Sequence, residues 1–344
     1  MSLDFDNLQD IAKAMTVKGK GILAADESNP TCKSRFDSIG VESTEENRNI
    51  YRDLLLTTKG MEDFISGVIL FDETLRQSTI KDNIPFTKYL SDLGVIPGIK
   101  VDGGAKNLAG TKGEKVTEGL DRLDERLKEY HTLGARFAKW RAVISIGDEE
   151  PSGSCIAANA HALARYASLC QQNGIVPIVE PEILMNGEHS IEDSFIVSEE
   201  VLHTVFFELY SQNVELEGMV LKPNMVLSGY DCSTQASIEK VADYTVTVFK
   251  RCVPAAVPGI AFLSGGQSEI EASKNLNEIN KINDTNFLIT FSYGRGLQAS
   301  ALKAFGKDQN DKNSIQKAFD HRAKMNGLSS KGEWSENLEK EAAA

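Results

Sequence analysis

Residues 135–180 hold the pattern that decides the fold: ARFAKWRAV (135–143), SCIAANAHALARYASLCQQNG (154–174) and GIVPIVE (174–180). Two short apolar runs flank a longer amphipathic stretch that stops at Gly174. The short runs are too apolar to have a wet face, as expected for parallel strands covered on both sides. Strand, helix and strand in that order predict a βαβ unit. The rhythm continues in both directions. Upstream lie GKGILAAD (19–26), ISGVILF (65–71) and VIPGIKVD (95–102). Downstream lie LEGMVLK (216–222), GIAFLSG (259–265) and NFLITFSYG (286–294). TEGLDRLDERLKEYHTLG (117–134) places Leu120, Leu123, Leu127 and Tyr130 on one helical stripe. SEIEASKNLNEIN (268–280) opens with a Ser N-cap and an acidic first turn. Eight strands with intervening helices predict an α/β fold, a single-domain (β/α)₈ TIM barrel with an N-terminal helix, over residues 1–305. An open doubly wound sheet is the runner-up, but the GxGxxG that usually follows its first strand is missing. Residues 306–344 read as a C-terminal helix followed by a polar, mobile tail.

Composition narrows the function. The 344 residues are 41% hydrophobic and 25% charged, ordinary for a globular protein with a large core. A net charge of −13 argues against nucleic acid and anionic membranes as partners. It leaves room for a phosphorylated substrate, because a local cluster of cations sets the field in a cleft. No apolar run approaches the length of a membrane helix. MSLDFDNLQD (1–10) is acidic and has neither the signal-peptide nor the transit-peptide pattern, which predicts a cytoplasmic protein. A plastid stroma, after removal of a leader, stays open. Five scattered cysteines without CxxC spacing fit a reducing compartment.

The ends of the strands carry the chemistry. In a barrel of this kind the site lies at the C-terminal ends of the strands. Those ends read Asp26, Lys100 with Asp102, Lys139 with Arg141, Glu180 with Glu182, Lys222, Ser264 and Arg295. The second strand, ending Phe71-Asp72-Glu73, is ambiguous. A single charged strand end is commonplace where a strand reaches solvent. Charges of both signs converging on one mouth can pair and shift each other's pKa. Lys139 and Arg141 are two apart on a strand and share a face, as do Glu180 and Glu182. Lys222 follows a wholly apolar approach, Met219-Val220-Leu221, and precedes Pro223. An ordinary lysine is only roughly 0.04% neutral at pH 7. Desolvation and nearby cations can bring such an amine down to roughly 7–8, where it becomes a nucleophile. The alternative is a lysine snorkelling to the rim.

Anion handling is the second theme. LSGGQSE (263–269) offers Ser264, Gly265 and backbone N–H groups at a helix start, and SYGRG (292–296) adds Gly294 and Arg295. Loops after the seventh and eighth strands form the usual phosphate site of such barrels. ADESNPTCKSR (25–35) supplies Ser28, Thr31, Lys33 and Arg35 for a second anion. Two anion sites flanking an amine suit a sugar bisphosphate. The five histidines fall in helices or loops, with no HxH or HxxH pair, so neither a metal nor another cofactor is expected.

These motifs resemble class I fructose-bisphosphate aldolase over nearly the whole chain. The match is carried by KGKGILAADES, ISGVILFDETL, VIPGIKVD, GARFAKWR, NGIVPIVEPEIL, LEGMVLKPNMV, PGIAFLSGGQSE and FSYGRGLQAS. The resemblance implies retro-aldol cleavage of fructose 1,6-bisphosphate without a metal, in a homotetramer. It makes Lys222 the Schiff-base lysine and Glu180 the main acid/base. Asp26 becomes the carboxylate that orients the C4 hydroxyl, and Lys139 the lysine that assists carbinolamine formation. Arg141 and Glu182 match its charged surroundings. Ser264, Gly265, Gly294 and Arg295 match the C1-phosphate site, and Ser28, Arg35 and Lys100 the C6-phosphate end. Two other readings remain: another Schiff-base sugar-phosphate aldolase or transaldolase, and a non-catalytic scaffold barrel. Two departures stand out. The chain reads VDGG where the family usually has VDKG, placing Gly103 at a lysine position, with a local effect on the positive field. It ends EKEAAA, without the usual terminal tyrosine, and its last tyrosine is Tyr293. The resemblance then implies slower protonation of the enamine.

Overall fold

In the computed structural model, which describes residues 7–341, eight parallel strands close into a barrel. They are β1 (Gly21–Ala25), β2 (Ile65–Leu70), β3 (Ile96–Lys100), β4 (Phe137–Ile144), β5 (Val176–Ile183), β6 (Val220–Leu221), β7 (Gly259–Phe262) and β8 (Leu288–Tyr293). Each strand pairs with the next in sequence, and β8 returns to β1 through Ile22 and Ser292. The register sets charged residues side by side: Lys100 is level with Lys139, and Arg141 with Glu180.

Alternation along each strand divides the apolar residues into two cores. Leu23, Val68, Leu70 and Ile99 face outward into the core beneath the helices. Ile22, Ile69, Ile96, Phe137, Val176 and Val220 face inward and fill the lower barrel. The helix Leu8–Met15 closes that end, adding Ile11, Ala12 and Met15 to the same cluster. Its N-cap Asn7 accepts a hydrogen bond from the Asp10 backbone N–H at 2.9 Å. Phe137 fits inside because its neighbours across the barrel wall are glycines: a Cβ at Gly67 would lie 3.1 Å from its ring, and one at Gly98 would overlap it.

Several boundaries differ from the sequence reading. The stripe expected from 117 starts only at Leu123, because Lys115–Thr117 pairs with Ala105–Asn107 as a small antiparallel ribbon after β3. Asp72 and Glu73 begin a helical turn and bind Arg76 and Arg48, away from the mouth. The region from 306 on is more closely packed than a polar tail implies. Helix Lys312–Ser329 buries Ile315, Phe319, Ala323 and Met325. Beyond it Glu339 accepts from His321 Nε2 at 3.1 Å and Trp334 Nε1 at 2.9 Å, and pairs with Arg322. Residues 1–6 and 342–344, including the end of the EKEAAA terminus, lie outside the described residues. Among the described residues no helix is long and apolar enough to cross a membrane.

Gly98→Ala places a methyl group where the Phe137 ring lies. Overpacking of this kind lowers stability by about 1–3 kcal/mol. Urea denaturation checks this, and an unchanged midpoint would refute the packing argument.

Candidate active site

Two adjoining lobes of one cleft open at the C-terminal ends of the strands, with volumes of about 290 and 400 Å³. Of the candidates, Lys33 turns away to pair with Asp37 at the surface, and the others line one lobe or both. Ser28 and Lys100 belong to the first. Glu180, Glu182, Lys222, Ser264, Gly265 and Arg295 belong to the second. Asp26, Arg35, Lys139, Arg141 and Gly294 are shared.

The centre is a buried chain of four charges. Lys139 Nζ lies 2.8 Å from Asp26 Oδ2 and 3.4 Å from Glu180 Oε2. Lys222 Nζ lies 3.1 Å from the other oxygen, Glu180 Oε1. Lys139, Glu180 and Lys222 are each at most 4% exposed. Isolated charges at such depth would be prohibitive, so their mutual pairing is what permits them there. Burial works to raise the Asp26 carboxyl, but Lys139, Lys222 and Lys100 outweigh it and hold it well below the usual range. Burial works to lower Lys139, but Asp26, Glu180 and Asp102 outweigh it and keep the ammonium charged. Lys139 is thus a standing cation at the centre. Glu180 is within reach of the Lys222 amine and can take or return its proton.

The backbone fixes Lys222. Its N–H donates to Val179 O at 2.8 Å, and Leu263 N donates to Pro223 O at 3.1 Å. Asn224 Oδ1 accepts from Ile183 N at 2.9 Å. Pro223 has no N–H and ends the ladder where the lysine is needed.

The lobes on either side are basic. In one, Arg35 pairs with Glu27, which also meets Arg52 Nη2 at 2.5 Å and accepts from Gln298 Nε2 at 3.0 Å. Lys100 Nζ meets Asp102 Oδ1 at 2.6 Å, and that carboxylate also takes the Gly104 N–H at 3.1 Å. Ser28 and Thr31 hydroxyls are 3.1 Å apart. In the other, Gly294 is the N-cap of helix Arg295–Lys307, which puts Arg295 in its first turn. Helix N-terminal N–H groups and a guanidinium together suit an anion. Gly265 sits at φ +59°, a left-handed conformation that glycine adopts without strain. Arg141 is held by Glu182.

Asp102, read as a strand end with Lys100, lines the cleft, as do Glu27 and Ser292, which the sequence reading left out of the site. Glu27 follows Asp26 directly, but its meaning depends on Arg52 in a distant helix. Ser292 is 1% exposed, and its Oγ has no hydrogen-bond partner among the described residues. Its place at the end of β8 was the available signal.

The family model described as "Glycolytic: Fructose-bisphosphate aldolase class-I" matches residues 7–344. A "Probable fructose-bisphosphate aldolase class 1" of Xanthomonas campestris is 55% identical, over 96% of this chain and 99% of its own length. The cytosolic "Fructose-bisphosphate aldolase 4" of Arabidopsis thaliana is 53% identical, over 91% of this chain and 80% of its own. A solved structure of the Plasmodium falciparum aldolase, in complex with TRAP and an inhibitor, superposes with a TM-score of 0.94 at 48% identity. It covers 97% of this chain and 98% of its own.

Asp26 gives a pH prediction. Its folded-state pKa is depressed, so its contribution to stability is present above the unfolded value of about 3.9 and lost as pH falls through the folded one. Asp26→Asn should reduce the slope of stability against pH below about pH 4 by up to about 1.4 kcal/mol per pH unit. An unchanged slope in urea titrations between pH 5 and 2 would refute the pairing.

Proposed function

The chain belongs to the class I fructose-bisphosphate aldolase family, and from that membership we propose how its own side chains divide the work. The reaction is the reversible, metal-independent cleavage of fructose 1,6-bisphosphate to dihydroxyacetone phosphate and glyceraldehyde 3-phosphate through a lysine Schiff base. The enzyme is a lyase.

Lys222 is the nucleophile. Its neutral amine attacks the C2 ketone of the open-chain sugar. Glu180 passes a proton to the departing hydroxyl, and water leaves with formation of the iminium. Lys139 stabilises the oxygen during that loss, because its charge persists beside Asp26 and Glu180. The iminium then accepts the electrons of the C3–C4 bond. Asp26 orients the C4 hydroxyl and Glu180 takes its proton as the aldehyde forms. Protonation of the enamine at C3 and hydrolysis release the second product and the free amine. Electrons move only within the substrate and the lysine, so no oxidant enters.

The observation that carries this assignment is the 3.1 Å contact between buried Lys222 Nζ and Glu180 Oε1. A nucleophile needs a base within hydrogen-bond reach, and these two meet that requirement. The lobe with Ser264, Ser292, Gly294 and Arg295 takes the C1 phosphate, and the lobe with Ser28, Arg35 and Lys100 takes the C6 phosphate. A monophosphate enzyme such as a transaldolase has no use for a basic lobe at both ends. The cytosolic plant relative supports a cytoplasmic location, and the homotetramer implied by the family resemblance is part of the same proposal. We read residues 7–305 as the catalytic barrel and the packed C-terminal helix as its brace.

Borohydride trapping with fructose 1,6-bisphosphate in excess EDTA, followed by peptide mapping, tests the nucleophile. The adduct is expected on the Lys222 peptide and absent from Lys222→Met. An adduct on Lys139 or Lys100 would overturn the assignment. Glu180→Gln should lower kcat by roughly 10²–10⁴-fold while trapping at Lys222 persists at a reduced rate. A kcat within tenfold of the parent would remove Glu180 from its role.

A further inference from the structure

We propose that Glu199, His203 and Cys252 form a binding site for a borderline-soft divalent metal ion, of the Zn²⁺ class, on the outer helical layer. Glu199 and His203 are four residues apart on helix Ile191–Ser211, so they lie on one face of it. Cys252 is the last residue of helix Ile238–Cys252, which packs beside the first. One carboxylate oxygen, one imidazole nitrogen and the Cys252 Sγ all lie within 4.8 Å of one another.

The donor set points to the class of ion. Thiolate sulfur, imidazole nitrogen and carboxylate oxygen bind Zn²⁺ at about 2.0–2.3 Å, whereas Ca²⁺ and Mg²⁺ take oxygen alone. Tetrahedral ligands at those bond lengths stand about 3.5 Å apart. The cluster therefore needs only a small inward movement, and exposed His203 has the freedom to make it. Burial is graded in a useful way. Cys252 is 7% exposed, so the sulfur is sheltered, while His203 opens the site to solvent. Three protein ligands leave a fourth position for water.

The neighbouring charges pull in both directions. Arg251 Nη1 lies 2.9 Å from Glu199 Oε1, and its guanidinium rests 5.2 Å from the Phe195 ring centroid. It opposes a cation by its charge. It also fixes the Glu199 carboxylate and leaves the second oxygen available, as outer partners of metal ligands do. The Cys252 Sγ donates to the Glu199 backbone O at 3.8 Å, so the free thiol carries its proton. Binding is therefore an exchange. A sulfur–metal bond forms, the S–H bond breaks, and one proton passes to solvent with no change of oxidation state. The ion would tie two helices on the outside of the barrel. None of its ligands lines the cleft that holds Lys222, so the proposal does not rest on the catalytic assignment.

The test is a Co²⁺ titration of the full chain, reduced and under argon. One ion per chain should bind, with a thiolate-to-cobalt charge-transfer band in the near ultraviolet and about one proton released. Zn²⁺ should abolish the band by displacement. Cys252→Ser should remove the band. His203→Ala, a change at an exposed residue that leaves the core intact, should weaken binding by at least about tenfold. Cleavage of fructose 1,6-bisphosphate should be unchanged in His203→Ala and in EDTA. Absence of binding, binding without the thiolate band, a band that survives Cys252→Ser, or undiminished affinity in His203→Ala would overturn the site.

Discussion

Everything in the cleft depends on one shared carboxylate. Glu180 stands between two lysines, with Oε1 toward Lys222 and Oε2 toward Lys139. Desolvation opposes each of these charges, and each is tolerable only because the others are present. The two lysines face unequal company. Lys139 pairs with two carboxylates, Asp26 and Glu180, whereas Lys222 pairs with Glu180. Equal chemical groups in unequal surroundings are how a site separates a permanent cation from a reactive amine. The barrel supplies the geometry: Lys222 follows the strand paired with that of Glu180, and Lys139 reaches Glu180 from two residues lower on the strand at its other edge.

Much of this was legible in the sequence, for a definite reason. Parallel strands covered on both faces must be apolar, so a charge at a strand end is conspicuous. Lys139, Arg141, Glu180, Glu182 and Lys222 could be placed by that contrast alone, together with the two-residue period. The family resemblance added roles that spacing could not supply. What the sequence hid was long-range. Glu27 acquires its meaning from Arg52 and Gln298, which lie far along the chain. Ser292 is distinguished by what it fails to bond, which no pattern reveals. The cluster of Glu199, His203 and Cys252 joins two helices and has no motif spacing.

The elements that were misread share a cause. The ribbon at 105–117 has only three residues per strand and is exposed along one of them, so local preference says little about it. The C-terminal helix is expected from the sequence, but the segment after it, which reads as a mobile tail, is packed through Trp334 and Glu339. The buried residues of the helix begin as Ile315, Phe319 and Ala323 and then widen to include Arg322, Met325 and Asn326, where neighbouring helices cover it in three dimensions. The inner core was also silent: Phe137 looks like any strand aromatic until Gly67 and Gly98 are seen to make room for it.

The closure of β8 onto β1 has a bearing on the order of events at the ribosome. Ile22 finds Ser292 across 270 residues, and Gln298 Nε2 donates to Ala24 O at 2.7 Å across a comparable gap. Asp26 follows directly from β1, and Arg295 lies beyond the end of β8, after Gly294. The first strand thus waits, with one edge unpaired, until nearly all of the chain has emerged. Contacts of such sequence separation are slow to form, and an unpaired edge invites association with other chains. The nascent protein therefore spends most of its synthesis as an open sheet with an incomplete cleft. Competence for substrate arrives in one late step, when the ends of the chain meet.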